Sequence, residues 1–250
     1  MSLPPQFLSV RLTHRALHDK ADGRSENSMS AIKAAVVAGY GIEIDVQPSS
    51  DGQAMVFHDE ELDRLTDDSG PIRNRSAAEL GGIALKNGGG TIPTLKEVLQ
   101  AIDGQVPLLI EIKDQTGQMA RSDGTLETAV ARDLGGYAGP VAVMSFNPHS
   151  VAMMSDLAPR VPRGLTTSAY DPDDWAPLSP ETCDHLRTIP DYDRTGSCFI
   201  SHEAADLRRD RVLELKKSGA AILCWTIRSP EQEALARKVA DNVTFEGYLP

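Results

Sequence analysis

His14, Glu43, Asp45, His58, Glu111 and Lys113 are the residues whose types and spacing could do chemistry, because each falls in or just beyond the end of a short apolar run. Glu43 and Asp45 stand two apart among Ile42, Ile44 and Val46, so in a strand both side chains leave by the same face. Ile110 and Ile112 frame Glu111 in the same way. Three carboxylates brought together by apolar strands would repel one another, and burying an uncompensated charge is costly. A divalent cation resolves that conflict, and all-oxygen ligation points to Mg²⁺ or Ca²⁺ rather than zinc. The alternative is that the acids pair with Arg15, Lys113 or another base in ordinary ion pairs.

Imidazole titrates near neutral pH, so one neutral ring can take a proton from an attacking oxygen while a protonated one donates to a leaving alkoxide. His14, closing the first apolar run, and His58, following Met55-Val56-Phe57, suit that pair of roles, although either alone would read as a structural histidine. Arg15, beside His14, carries a planar fork of donors that can hold phosphate oxygens bidentately. Asp59 could orient His58, Lys113 could neutralise a phosphate or pair with Glu111, and Trp225 could wall a substrate pocket or belong to the core. Such a set suits phosphoryl chemistry. Among the other histidines, His18 falls in a charged loop, His149 at a helix start and His185 in a polar loop, which leaves His202, near a strand end beside Glu203, as a further candidate. No Gly-x-Ser-x-Gly elbow is present and no cysteine adjoins a histidine, so a covalent serine or cysteine hydrolase has little support.

The elements that must position these residues are short β-rich runs separated by helical patterns, the rhythm of an α/β chain with a parallel sheet. Strands are predicted at Phe7 to Thr13, Gly41 to Val46, Ala54 to His58, Leu108 to Lys113, Val141 to Ser145, Arg163 to Thr167, Cys198 to Ser201, Ala221 to Thr226 and Asn242 to Phe245. A closed (β/α)8 TIM barrel needs eight, so one of the nine lies outside the ring. Helices are predicted at Ser28 to Ala38, Thr94 to Ile102, Thr125 to Leu134, His149 to Leu157, Ala204 to Ser218 and Pro230 to Val239. Gln47 to Gln53 is too short for a crossover helix and must be a helix-less return or a hairpin. Asp59 to Thr91 is a long polar stretch, glycine-rich at Asn87 to Gly90, with a weak helical signal around Ala77 to Leu80. Residues 1–250 read as one barrel domain.

The formal net charge of −11 disfavours extended nucleic-acid binding and requires a local cation or arginine wherever a phosphate ester is held. Cys183, Cys198 and Cys224 have neither disulfide-framework nor zinc-ligand spacing, which suggests reduced thiols and a cytoplasmic address. No apolar run approaches the roughly 18 residues of a membrane span, and no charged-then-apolar leader is seen.

Taken in order, these residues resemble the signature of the glycerophosphodiester phosphodiesterase family. The matching pieces are His14-Arg15, Glu26-Asn27, Glu43-Ile44-Asp45-Val46, Asp51-Gly52 and His58-Asp59. Ile92-Pro93-Thr94-Leu95 with Glu97, Glu111-Ile112-Lys113, Ser145-Phe146 and Trp225-Thr226 follow, so the series runs from residue 14 to 226. The resemblance implies a barrel with a short insertion after the third strand, about Asp59 to Gly90, and a divalent ion on Glu43, Asp45 and Glu111. It also implies metal-dependent hydrolysis of a glycerophosphodiester to glycerol 3-phosphate and an alcohol, with His14 and His58 as acid and base. Arg15, Lys113 and Trp225 would contact this small-molecule substrate, with no stable membrane anchoring. Two readings stand beside it: a phospholipase D-like lyase releasing a cyclic phosphate from lysophospholipids, and a barrel that binds phosphodiesters without turnover. Three positions depart from the family pattern: Ala16 and Ser25 replace a usual glycine and proline, and Phe245-Glu246-Gly247 stands where Thr-Asp is more usual.

Overall fold

Alternation along Gly41–Pro48 divides that strand between two environments in the computed structural model, which describes residues 1–250. Ile42, Ile44 and Val46 join a core of 24 buried residues shared with the surrounding helices, whereas Glu43 and Asp45 take the opposite face. The strands are β1 Leu12–Thr13, β2 Gly41–Pro48, β3 Ala54–Val56, β4 Leu108–Ile112, β5 Val141–Ser145, β6 Arg163–Thr167, β7 Phe199–Glu203, β8 Ala221–Ile227 and β9 Asn242–Phe245. All except β3 are parallel, in the order β1-β9-β8-β7-β6-β5-β4-β2, and the β1–β2 pairing closes the ring. The eight-stranded parallel barrel expected from the sequence is therefore present. The ninth strand, β3, pairs antiparallel with β2 outside the ring, because the intervening chain is a hairpin turn with no room for a crossover helix.

The helices are α1 Gln6–Ser9, α2 Met29–Ala38, α3 Ala77–Leu80, α4 Leu95–Ile102, α5 Thr125–Leu134, α6 Pro148–Leu157, α7 Pro180–Arg187, α8 Asp210–Lys217 and α9 Pro230–Ala236. Serine or threonine side chains start several of them: Ser28 accepts from Ala31 N, and Thr94 forms a reciprocal capping box with Glu97. Removing the large side chain of Ile44, fully buried in the main core, would cost roughly 2–5 kcal/mol.

Three elements differ from the sequence expectation. Phe7 to Thr13 is not one strand: α1 occupies its start and only Leu12–Thr13 joins the sheet. Leu3 and Phe7 instead pack against Leu109, Ala142, Met144, Phe199 and Leu223, while the Asn242 amide donates to Phe7 O and Val10 O at 2.7 and 2.6 Å. The predicted helix Ala204 to Ser218 is a 3-10 turn, Ala204–Asp206, followed after a break by α8. The third, α7, was read as loop because only Cys183 and Leu186 of its residues are buried, too few for a clear helical period; it carries His185.

Asp59 to Gly90 is well structured rather than an open loop. Phe57, Leu62, Leu65, Ile72, Leu80, Ile83 and Leu85 form a small core of their own, and α3 carries a Ser76–Glu79 capping box. The glycine run closes this segment onto the barrel: Gly89 has φ +100°, and a Cβ there would lie 2.6 Å from Ser28 Oγ. No helix is long and apolar enough to cross a membrane.

Candidate active site

Strand β2 brings Glu43 and Asp45 to the barrel interior, and β4 brings Glu111 alongside, in register with Asp45. The three are 2%, 2% and 6% exposed, and one carboxylate oxygen from each lies within 4.8 Å of the others. Burial and the charges of Asp45 and Glu111 push the Glu43 carboxyl well above the usual range. Asp45, equally buried, goes the other way, because the charges of His58, Lys113 and Arg15 and a hydrogen bond from Asn27 hold it well below that range. Of the two, Glu43 is thus the acid whose charged form this surrounding opposes, the response of an acidic cluster short of positive charge.

Cations and donors close round the cluster. Lys113 Nζ lies 2.8 Å from Glu111 Oε1 and 3.5 Å from Asp45 Oδ1, and although burial opposes its charge, these two acids hold its ammonium above the usual lysine range. Arg15 N donates to Glu43 Oε2 at 2.8 Å, and Asn27 Nδ2 donates to Asp45 Oδ2 at 3.0 Å. The Arg15 backbone has φ +53°, Ala16 +65° and Asn27 +56°, so the turn after β1 is left-handed at each of these positions. The Ala16 methyl group accepts that conformation and is buried in the main core. The fork of Arg15 is partly engaged: one terminal nitrogen donates to Glu26 Oε1 at 2.8 Å, whereas Nε, 3.6 Å from Asp45 Oδ2, is buried without a hydrogen-bond partner.

Each candidate imidazole gives Nδ1 to a carboxylate. His14 Nδ1 lies 2.5 Å from Glu246 Oε2, and Glu246 is also held by Arg228 Nε at 2.8 Å. Burial lowers the His14 pKa, outweighing the hydrogen bond to Glu246. The carboxyl of Glu246 is held far below its usual range by the His14 hydrogen bond, by His18, whose Nε2 lies 3.5 Å away, and by the Arg228 charge, against partial burial. His58 Nδ1 lies 2.6 Å from Asp59 Oδ1, and its Nε2 is 3.2 Å from Lys113 Nζ. Arg64 grips Asp59 through Nε at 2.6 Å and Glu26 through its terminal nitrogens at 2.7 and 2.9 Å, linking His58 to the Arg15 side of the site. Against partial burial, Arg64 and Arg15 lower Glu26 to about 2.

Together His14, Arg15, Glu43, Asp45, His58, Glu111, Lys113 and Trp225 line one pocket of about 70 Å³. All eight residues expected to act as catalysts, metal ligands or substrate contacts are brought to it, including His58, although β3 is not a ring strand. Trp225 donates from Nε1 to Ser201 O at 3.0 Å and meets Phe146 edge-on at 5.5 Å, forming part of the wall. His202 is not there: it is fully buried, 2.8 Å from Thr167 Oγ1 and 3.2 Å from Asp206, a satisfied structural histidine. Sequence reasoning gave no role to Glu246, Asn27 or Arg64. Glu246 follows the apolar strand β9, so the same strand-end rule that found His14 would have found it; Arg64 lies within the long segment and carries no such signal.

The family model of the glycerophosphoryl diester phosphodiesterase family matches residues 14–242. A glycerophosphodiester phosphodiesterase of Caldanaerobacter subterraneus subsp. tengcongensis is 33% identical over 226 residues, covering 87% of both chains. One from Bacillus altitudinis is 30% identical over 218 residues, covering 83% of this chain and 82% of that one. Among solved structures, an Oleispira antarctica phosphodiesterase in complex with the product sn-glycerol-3-phosphate shares the fold with a TM-score of 0.76 at 24% identity, covering 98% of this chain and 94% of that one. The chain belongs to the glycerophosphoryl diester phosphodiesterase family and is a phosphoric diester hydrolase of the glycerophosphodiester phosphodiesterase type.

Proposed function

We propose that the chain hydrolyses glycerophosphodiesters to glycerol 3-phosphate and an alcohol, with His14 and His58 as its acid–base pair and a divalent cation, Mg²⁺ or Ca²⁺, on Glu43, Asp45 and Glu111. The observation that carries this reading is the convergence of two carboxylate-backed imidazoles over one buried triad of acids. The donor set fits such an ion: the ligands are all oxygen, the charge of Glu43 is opposed by burial and by its acidic neighbours, and Glu111 gives only one of its oxygens to Lys113. When bound, the cation would neutralise charge on the phosphate as the pentavalent arrangement develops.

The chain's own residues would handle the proton. Because burial keeps His14 neutral, its Nε2 can accept the proton of the attacking water as the new P–O bond forms, and Glu246 stabilises the imidazolium that results. Asp59, held ionised by its contacts with His58 and Arg64, orients the His58 ring through Nδ1, and His58 in its acid role gives a proton from Nε2 to the departing alkoxide as the ester P–O bond breaks. To do so, His58 Nε2 must release Lys113. Arg15, Lys113 and Trp225 contact the substrate in this reading, residues 1–250 act as one barrel domain with 59–90 as its insertion, and the three free thiols are in keeping with a cytoplasmic address.

Turnover of glycerophosphocholine and glycerophosphoethanolamine with Mg²⁺, Ca²⁺ or EDTA tests this. Removing either imidazole as His14→Ala or His58→Ala should cut kcat by about 10²–10⁴-fold. Wild-type kcat in either variant, or turnover indifferent to EDTA, would overturn the assignment, and a cyclic phosphate product would move it to the lyase.

A further inference from the structure

Beside the catalytic pocket, and joined to it through His58, Glu111, Lys113 and Phe146, lies a second cavity of about 560 Å³. The two differ in how their acids are answered. Arg15 and Lys113 face the inner pocket, whereas the outer cavity adds Asp59, Glu60, Glu61, Asp114 and Asp174 and no further lysine or arginine. Asp59 is neutralised by Arg64 and Asp114 is tied up by Thr116 and Asn147, but Glu60, Glu61 and Asp174 enter no ion pair and stand exposed at the rim. One wall is aromatic: Phe146 and Trp175 have ring centroids 4.9 Å apart at 58°, with Tyr170 packed behind Trp175 at 4.7 Å.

Aromatic faces ringed by unpaired carboxylates favour an ammonium, since the ring quadrupole attracts a cation and the carboxylates supply long-range charge complementarity. The same carboxylates repel an anionic headgroup, and a neutral polyol could hydrogen-bond to them but gains no charge complementarity. We propose that this cavity is the leaving-group subsite and that it selects diesters whose alcohol carries a quaternary or primary ammonium. The ammonium sits against Trp175 and Phe146, with Glu60, Glu61 and Asp174 as its counter-charges. This rests on the catalytic reading above and deepens it: the diester phosphate meets Arg15 and Lys113 in the inner pocket while its cationic end meets the unpaired carboxylates of the outer one.

The test compares kcat/KM for glycerophosphocholine, glycerophosphoethanolamine, glycerophosphoglycerol and glycerophosphoinositol. We expect the two ammonium diesters to be favoured by about tenfold. Trp175→Ala should bring the choline-to-glycerol ratio close to one, and the double change Glu60→Gln and Glu61→Gln, on exposed side chains, should lower it several-fold without risk to folding. Equal kcat/KM for all four diesters overturns the subsite and leaves the catalytic reading standing. If no diester is hydrolysed, the catalytic reading fails and choline chloride alone still tests the cavity. The only two tryptophans, Trp175 and Trp225, both line the joined pockets, so choline should change the fluorescence saturably and glycerol should not. No choline response, or an equal response in Trp175→Ala, overturns the subsite.

Discussion

Glu246 is the residue on which the behaviour of His14 turns. A carboxylate 2.5 Å from Nδ1 fixes the ring and its tautomer and raises the affinity of Nε2 for a proton, against the burial that lowers it. Glu246→Gln keeps the shape but removes the charge, so we expect kcat to fall about 10–100-fold with little change in KM. The acid limb of the kcat/KM profile should also move to lower pH, because His14 loses the neighbour that raises its pKa. A residue that merely held the fold would lower activity without moving that limb, so the profile measured on variant and wild type decides. The residues of the triad and both imidazoles were legible in the sequence because each sits at the end of an apolar run. Glu246, one methylene longer than the usual Asp, stands at a strand end as His14 does, but its partnership with His14 depends on β1 and β9 being neighbours, which only ring closure establishes.

At the scale of elements, the segment from Asp59 to Gly90 does more than cover the barrel, because its Arg64 joins Asp59 to Glu26 and so fixes His58 relative to Arg15. Arg64→Ala would leave Asp59 free to turn away and the ring unsupported. We expect kcat to fall by about tenfold, by analogy with other groups that orient a reacting side chain. The loss of stability should stay under about 1 kcal/mol, since Arg64 is 45% exposed and its ion pairs are screened by solvent. Denaturant unfolding and steady-state kinetics on the same preparation check this, and a variant as unstable as it is inactive would count against it. The sequence made the barrel strands readable through their apolar runs, and the short Gln47 to Gln53 link already required a helix-less return or a hairpin. It did not reveal that Phe7 serves as a plug beneath the barrel rather than as a strand residue, because an apolar side chain has the same signature in either place. Nor did it reveal the ordered core of Asp59 to Gly90, whose apolar residues are spaced for an irregular chain and follow neither a helical nor a strand period.

Over the whole molecule, whose net charge is −11, three acids, Glu43, Asp45 and Glu111, are gathered at one buried point and answered there by Lys113 and the Arg15 edge. A cation binding there should stabilise the folded state by mass action, since the unfolded chain has no such cluster. At a hundredfold excess over Kd the gain is about 2.7 kcal/mol, which for a chain of this size raises Tm by roughly 5–10 °C. Thermal melts with Mg²⁺ or Ca²⁺, and again with EDTA, should show that rise and its reversal, and Asp45→Asn should lose most of it. The raised pKa of Glu43 adds a second consequence: an ion that takes this oxygen must displace a proton. Affinity should therefore climb with pH over a range above that in which an exposed carboxylate ionises, and the binding heat should vary with the ionisation enthalpy of the buffer. Calorimetry in phosphate-free buffers of differing enthalpy measures that proton directly. A metal-induced rise in Tm with no proton release would place the ion away from Glu43, whereas release that vanishes in Glu43→Gln would fix it on the triad.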